Sequence, residues 1–344
     1  MSFMLPHKID VNNNAYKVVA TDRKTIETSA FLADGRFTGP ETVFSELPFN
    51  EASASLRPEA PGASYIFHTA FCCSTLLAKA ADQPGRMLSL KEPEILMDLA
   101  NIRRTNVKDS RSAAIWAQLA ELTFRLMDQP LVSGERNLLK PTNLANNILE
   151  ALLVSPVKRP IFIIYSDLKS FLTSLLKKQE EGRAFGRKMF NIISLDFPQM
   201  RTDIGERQLF TMTDLQVGAL AWHLQMNYLL EMLKHPAGAE IKTIHCDDFL
   251  ADTSNNLFKI GQHLKCHFTR EDVDRRVMGD IFRKNSKFED QEFQTNARAK
   301  TNKAIQSEYN DILDMIVEWS QFASISSAPM RHMPHGILNE IHEK

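Results

Sequence analysis

The chain has 344 residues, 43% of them hydrophobic, which suffices for one large α/β domain or two smaller ones with a buried core. Its 41 basic and 42 acidic residues leave a formal charge of −1, which excludes a global pull toward nucleic acid or an anionic membrane, so any anion site must be local. Four cysteines make no disulfide framework, and no apolar run reaches the roughly 18–20 residues of a membrane span.

The start, MSFMLPHKIDVNNNAYK, lacks the basic and apolar regions of a signal peptide, so a cytoplasmic location is expected. Residues 1 to about 60 are polar and interrupted by Gly35, Gly39, Pro40, Pro48 and Pro58; they read as a partly irregular N-terminal extension with a strand near 16–20. From 61 onward the pattern alternates. Strand 65–68 leads to helix 74–82, strand 87–90, helices 93–103 and 112–127, strand 137–140, helix 144–153, strand 161–165 and helix 168–179. The strands are short continuous apolar runs, as expected when helices cover both faces of a parallel sheet, and the pattern is doubly wound α/β. The charged, glycine-containing stretch 180–187 predicts a loop, followed by a variable segment to Gln208. A long amphipathic helix over 213–234 carries Trp222 and His223, and a strand in EIKTIHCDDFL leads to helix 255–263. The tail from Arg270 is charged, contains the basic cluster FRKNSK, and predicts a helix over 303–322.

In an open parallel sheet, ligands collect at the carboxyl ends of strands, where helix N-termini point. That rule selects the turn 68–75, Lys91–Glu92, Lys140–Pro141 and the stretch 166–169. The turn offers backbone N–H groups and the hydroxyls of Ser74 and Thr75 at a helix start, a favourable place for an anion, although serine and threonine also cap ordinary helices. It has no lysine, which disfavours nucleoside triphosphate hydrolysis and counts against a nucleotide kinase. Glu92 beside Pro93 also suits a helix N-terminal carboxylate, and Lys140 a strand-end lysine reaching solvent. His68 reads as a hydrogen-bonded wall residue and His223 as core. His245, Cys246 and Cys266 have no metal-ligand spacing.

HTAFCCSTLL resembles the sulfotransferase 5′-phosphosulfate loop, with Phe71, Cys72 and Cys73 in the loop and Ser74 and Thr75 on its paired threonines. SLKEPEIL resembles the segment carrying a glutamate base, matched by Glu92. NLLKPTNL resembles a strand end whose lysine stabilises the transferring group, matched by Lys140. IFIIYSDLKSFLTSLLKK resembles the 3′-phosphate segment, with Ser174 and Lys178 on its serine and basic positions. IHCDDFLADTSNNLFKIGQHL resembles a fifth family segment. The resemblance spans 64–264. This chain departs from the family at Phe71, Cys73 and Ser166, where a basic residue, a glycine and an arginine are usual. Lys169 and the cluster Arg283, Lys284, Ser286 and Lys287 are the candidates to restore the charge.

The resemblance implies a P-loop NTPase-like three-layer αβα domain over 61–325, with a central mostly parallel sheet, extra helices at the C-terminus, and a tail over 326–344. It implies 3′-phosphoadenylyl sulfate as co-substrate, no required metal, and a small-molecule or lipid-like acceptor bearing a hydroxyl or amine. The alternative is a catalytically inactive nucleotide-binding or scaffold protein that keeps the fold. The acceptor and the oligomeric state are not legible.

Overall fold

The computed structural model describes residues 2–198, 204–283, 295–321 and 333–338. Five parallel strands form the centre: β4 (Ser64–His68), β5 (Met87–Lys91), β6 (Arg136–Lys140), β7 (Ile161–Tyr165) and β8 (Lys242–His245). They stand in the order β5-β6-β4-β7-β8. The chain thus starts inside the sheet and winds outward in both directions, which places a crevice at the carboxyl ends near β4.

Alternate residues of each strand enter two different cores. Tyr65, Phe67, Leu90, Leu139 and Ile163 pack on one face with α4 (Glu94–Asn106), α5 (Ser110–Asp128), α6 (Leu149–Val154), α7 (Leu168–Lys177), α8 (Gln179–Ile193) and the long α10 (Asp214–Lys234). Ile66, Met87, Leu138, Phe162 and Ile244 pack on the other with α3 (Ser74–Ala81), α11 (Cys246–Ala251), α12 (Thr253–His263) and α13 (Arg270–Met278). The result is the three-layer αβα arrangement that the apolar strand runs predict. The remaining helices are α9 (Glu206–Thr211), α14 (Asp280–Arg283), α15 (Thr295–Glu308) and α16 (Asn310–Gln321).

Two stretches differ from the sequence reading. The stretch 180–187 is not a loop but lies within α8. Its glycines serve packing: a Cβ on Gly182 would fall 2.0 Å from the Leu175 carbonyl oxygen, and one on Gly186 3.3 Å from Leu175 Cδ1. The N-terminal residues hold more than one strand. β1 (Ser2–Asp10), β2 (Ala15–Asp22) and β3 (Ser45–Pro48) form an antiparallel sheet, with the short helix α1 (Arg23–Thr28) between β2 and β3 and α2 (Phe49–Ala54) after β3. This sheet docks on α4, where the Ile9 amide donates to Asp98 Oδ2 at 3.0 Å. Burial pushes the Asp98 carboxyl up to about 6.

The extension also reaches the end of the central sheet. The Leu32 amide donates to the Lys91 carbonyl at 2.7 Å, and the Glu94 amide donates to the Leu32 carbonyl at 3.3 Å. Lys91 is wholly buried, and its Nζ donates to the carbonyls of Ile26 (2.8 Å) and Glu27 (3.0 Å) at the end of α1.

Candidate functional site

Strand order sets the sequence of side chains along the crevice: Glu92 after β5, Lys140 ending β6, the 69–73 turn after β4, Ser166 after β7 and His245 ending β8. β5 and β6 pair with Lys91 opposite Lys140, and the Glu92 amide continues the ladder by donating to the Lys140 carbonyl at 2.7 Å. Glu92 then turns out of the strand with φ 54°, which frees Pro93 to start α4. This geometry brings Glu92 Oε1 to 2.7 Å from Lys140 Nζ. The lysine side chain is fully buried and the glutamate 23% exposed, so the ammonium sits beneath a carboxylate that meets solvent. The two residues proposed for catalysis, 48 positions apart, are one ion pair.

The 69–73 turn bends sharply without a glycine. Phe71 and Cys73 both take positive φ, 62° and 65°, a conformation that costs about 1–3 kcal/mol in a non-glycine residue and is held only where surrounding contacts enforce it. Those contacts are present. Cys72 Sγ lies 2.7 Å from the Thr69 carbonyl and 3.2 Å from the Ile164 carbonyl. His68 lies with Nδ1 2.7 Å from the Thr69 carbonyl and Nε2 3.1 Å from the Pro141 carbonyl, tying the turn to the end of β6. Asn146 donates to the His68 carbonyl at 3.1 Å. Burial pushes the Cys72 thiol up to about 11, with the Lys140 charge among the influences opposing it. Cys72 is therefore a packed thiol rather than a nucleophile.

Helix α3 begins at Ser74 with no side-chain cap from the N-cap residue Cys73, and the Cys72 thiol lies against the Ser74 amide. Ser74 and Thr75 are both buried there. An uncapped helix start with two hydroxyls, beside the turn's own amides and the Lys140 ammonium, is suited chemically to a tetrahedral oxyanion.

The β7 end is less basic. Phe71 is directed into an aromatic cluster, with ring centroids 5.8 Å from Phe171 and 5.3 Å from Phe185. Ser166 is buried: its amide donates to Thr69 Oγ1 (3.1 Å), its carbonyl accepts from Trp222 Nε1 (3.0 Å), and its Oγ has no hydrogen-bond partner among the described residues. Asp167 caps α7 through the Ser170 amide at 2.8 Å and meets His245 Nε2 at 3.3 Å. Although burial alone would raise it, the bonds to His245 and Ser170 hold the Asp167 carboxyl down to about 2. Lys169 turns to α16, with Nζ 3.0 Å from Asn310 Oδ1 and 2.5 Å from Asp314 Oδ1. Ser174 donates back to the Ser170 carbonyl at 3.0 Å, and Lys178 is half-buried at the junction of α7 and α8. The structure therefore gathers Glu92, Lys140 and residues 71–75, with Ser166 adjoining them, and commits Lys169 and Ser174 elsewhere. Lys284, Ser286 and Lys287 lie outside the described residues, as does the side chain of Arg283.

His223 is core, as its apolar helix face predicts: burial holds it down to about 4, and its Nε2 meets Ser320 Oγ at 3.0 Å. His245, Cys246 and Asp247 bring possible ligand atoms within 4.8 Å of one another at the end of β8, and Cys266 is not among them. Sequence reasoning missed Phe31 and Thr69. Phe31, buried in the extension, places its ring 6.0 Å from Lys140 Nζ and beneath Arg36, whose guanidinium carbon is 4.7 Å from the ring centroid. Nothing local in the sequence marks it, because its partner is 109 residues away. Thr69 had a signal, a hydroxyl between strand and turn in HTAF.

No family model matches the chain, and no curated protein matches it. Among solved structures it is similar to a sulfotransferase domain from the curacin biosynthetic pathway, at 14% identity and TM-score 0.43, over 73% of this chain and 98% of that one. A sulfotransferase from Alicyclobacillus acidocaldarius is similar at 13% identity and TM-score 0.34, over 60% and 83%. A retinol dehydratase in complex with retinol and PAP is similar at 10% identity and TM-score 0.37, over 95% and 99%. Likenesses this distant do not bear on activity.

Proposed function

We propose that the chain transfers a sulfuryl group from 3′-phosphoadenylyl sulfate to a hydroxyl or amine of a small or lipid-like acceptor. The observation that carries this reading is the Glu92–Lys140 ion pair, set at adjoining strand ends beside the uncapped start of α3. The five segments that resemble sulfotransferases support it in the same order along the chain.

The residues fit the two ends of such a donor unequally. At the phosphosulfate end, the amides of the 72–75 turn, the Ser74 and Thr75 hydroxyls and Lys140 offer donors to tetrahedral oxyanions. At the 3′-phosphate end, the Ser166 hydroxyl has no partner among the described residues and Lys178 stands at the α7–α8 junction, while Lys169 and Ser174 are engaged within the protein. The aromatic cluster around Phe71 favours a second reading on this point, a nucleotide-binding or scaffold protein that keeps the fold without turnover.

In the transfer, the acceptor oxygen or nitrogen forms a bond to sulfur as the bond from sulfur to the bridging phosphate oxygen breaks. The protein supplies alignment and charge, as in phosphoryl transfer. Glu92 takes the acceptor's proton. Its carboxylate then no longer neutralises Lys140, whose ammonium is released toward the sulfuryl oxygens and the departing oxygen as charge grows there. The ion pair thus couples proton removal to electrostatic stabilisation.

The test is turnover of sulfur-labelled donor against a panel of phenols, alcohols and amines. Glu92→Gln keeps an oxygen acceptor for Lys140 and is expected to lower kcat by about 10²–10⁴-fold; Lys140→Ala by about 10²–10³-fold. Full activity in either variant would remove that residue from the mechanism. No turnover with any acceptor, together with tight binding of adenosine 3′,5′-bisphosphate, would favour the second reading.

A further inference from the structure

At the edge of the sheet opposite the strand carboxyl ends, the chain turns from α3 into β5 through residues 82–86, with α13 packed alongside. Between them lies a cavity of about 410 Å³ lined by Gln83, Asp272, Arg275, Arg276, Gly279 and Ile281. That volume is within the ~300–1,000 Å³ range of small-molecule sites. None of its lining residues belongs to the crevice at the strand ends.

The polar groups of this cavity are unevenly satisfied. Asp272 is fully engaged: it caps α13 by accepting from the Thr269 amide at 3.1 Å, and it accepts from Arg86 Nη1 at 3.1 Å. Arg275 is exposed at the rim and pairs with Glu271 at 3.3 Å. Arg276 differs. It is half-buried over the Phe268 ring, 5.4 Å from the centroid, and its Nη1 donates to the Ala80 carbonyl at 3.1 Å. Among the described residues, no carboxylate is hydrogen-bonded to it. A guanidinium has five N–H donors, so this one keeps a fork of donors for an oxyanion. Burial works in the same direction, lowering its proton affinity more than Asp82 and Asp272 restore it. Gln83 also lines the cavity, and among the described residues its buried Oε1 has no donor. A buried carbonyl oxygen without a donor is costly, and a ligand hydroxyl would satisfy it.

We propose that this cavity is a second ligand site, for a small oxyanion that also carries hydroxyl groups. The oxyanion binds the Arg276 fork with Arg275 at the rim, and a hydroxyl donates to Gln83 Oε1. The site is independent of the reading of the strand-end crevice.

Calorimetric titration of the full chain with glycerol 3-phosphate, D-glycerate, inorganic phosphate and glycerol tests it. Glycerol 3-phosphate or D-glycerate is expected to bind, the tighter of the two identifying the oxyanion as phosphate or carboxylate, with inorganic phosphate weaker and glycerol alone silent. Arg276→Met, which keeps the stem over Phe268, is expected to weaken binding by about tenfold or more. Arg276→Lys keeps the charge but loses the planar fork, is expected to weaken binding by about fivefold or more, and serves if the methionine variant does not fold. Gln83→Met should reduce the hydroxylated anion to the level of the plain one, and Lys140→Ala should change nothing. Absence of binding by either hydroxylated anion, unchanged affinity in folded Arg276→Met, or loss in Lys140→Ala would overturn the proposal.

Discussion

Lys140 and Glu92 are unequal partners, and the inequality is measurable. The ammonium is fully buried while the carboxylate is 23% exposed, so removing the carboxylate strands a charge in the protein, whereas removing the ammonium leaves a carboxylate that water can reach. Breaking a buried pair from one side costs about 3–5 kcal/mol when the remaining charge has no other partner. Glu92→Ala is therefore expected to lower unfolding free energy by roughly 3 kcal/mol, and Lys140→Met by about 1 kcal/mol because its methylenes still fill the site. Denaturant titration of both variants checks this, and equal losses would mean that the pair is symmetric. Lys140 as a candidate was legible in the sequence, since a lysine before proline at the end of an apolar run marks a strand end. Its pairing with Glu92 was not legible, because it depends on β5 lying beside β6, and strand order is not written in local pattern.

At the scale of elements, β4 and β7 were legible because continuous apolar runs, 65–67 and 161–165, are buried on both faces. Helix α8 was not. Gly182 and Gly186 are punctuation in a local reading, but here they let α8 approach the end of α7, a tertiary requirement that overrides propensity. Gly182→Ala is expected to cost roughly 1–3 kcal/mol, because the displaced neighbour is backbone and not a flexible side chain; a melting temperature within a degree of the parent would contradict the packing. Of the N-terminal sheet only the strand near 16–20 is legible locally, because β1 is broken by Pro6 and His7 and β3 pairs with β2 from about 30 residues away. Lys91 fastens the sheet, capping α1 from the end of β5. Burial holds the Lys91 ammonium down to about 8 from the usual 10.5. Between those values the unfolded chain binds the proton and the folded chain does not, so this group makes stability rise as pH increases from about 8 toward 10.5. Unfolding titrations of Lys91→Met across that range are expected to show a rise smaller than the parent's by up to about 3 kcal/mol, and identical slopes would contradict a buried charged lysine.

Over the whole molecule, the winding of the sheet places four features at one edge: a carboxylate, a buried ammonium, a strained turn and an uncapped helix start. The extension adds Phe31 to the same edge, so the residues before β4 belong to the architecture of the crevice as well as to its periphery. Three of the non-glycine residues with positive φ, Phe71, Cys73 and Glu92, lie along this one edge. The central claim is that this edge is an oxyanion seat built on α3 and Lys140. Calorimetric titration with adenosine 3′,5′-bisphosphate, run on the parent chain and on Lys140→Ala, tests it most directly. The account predicts saturable binding by the parent, with affinity reduced by about tenfold or more in the variant as a charge-assisted contact is lost; no heat of binding at millimolar nucleotide, or the same affinity in both proteins, would contradict it.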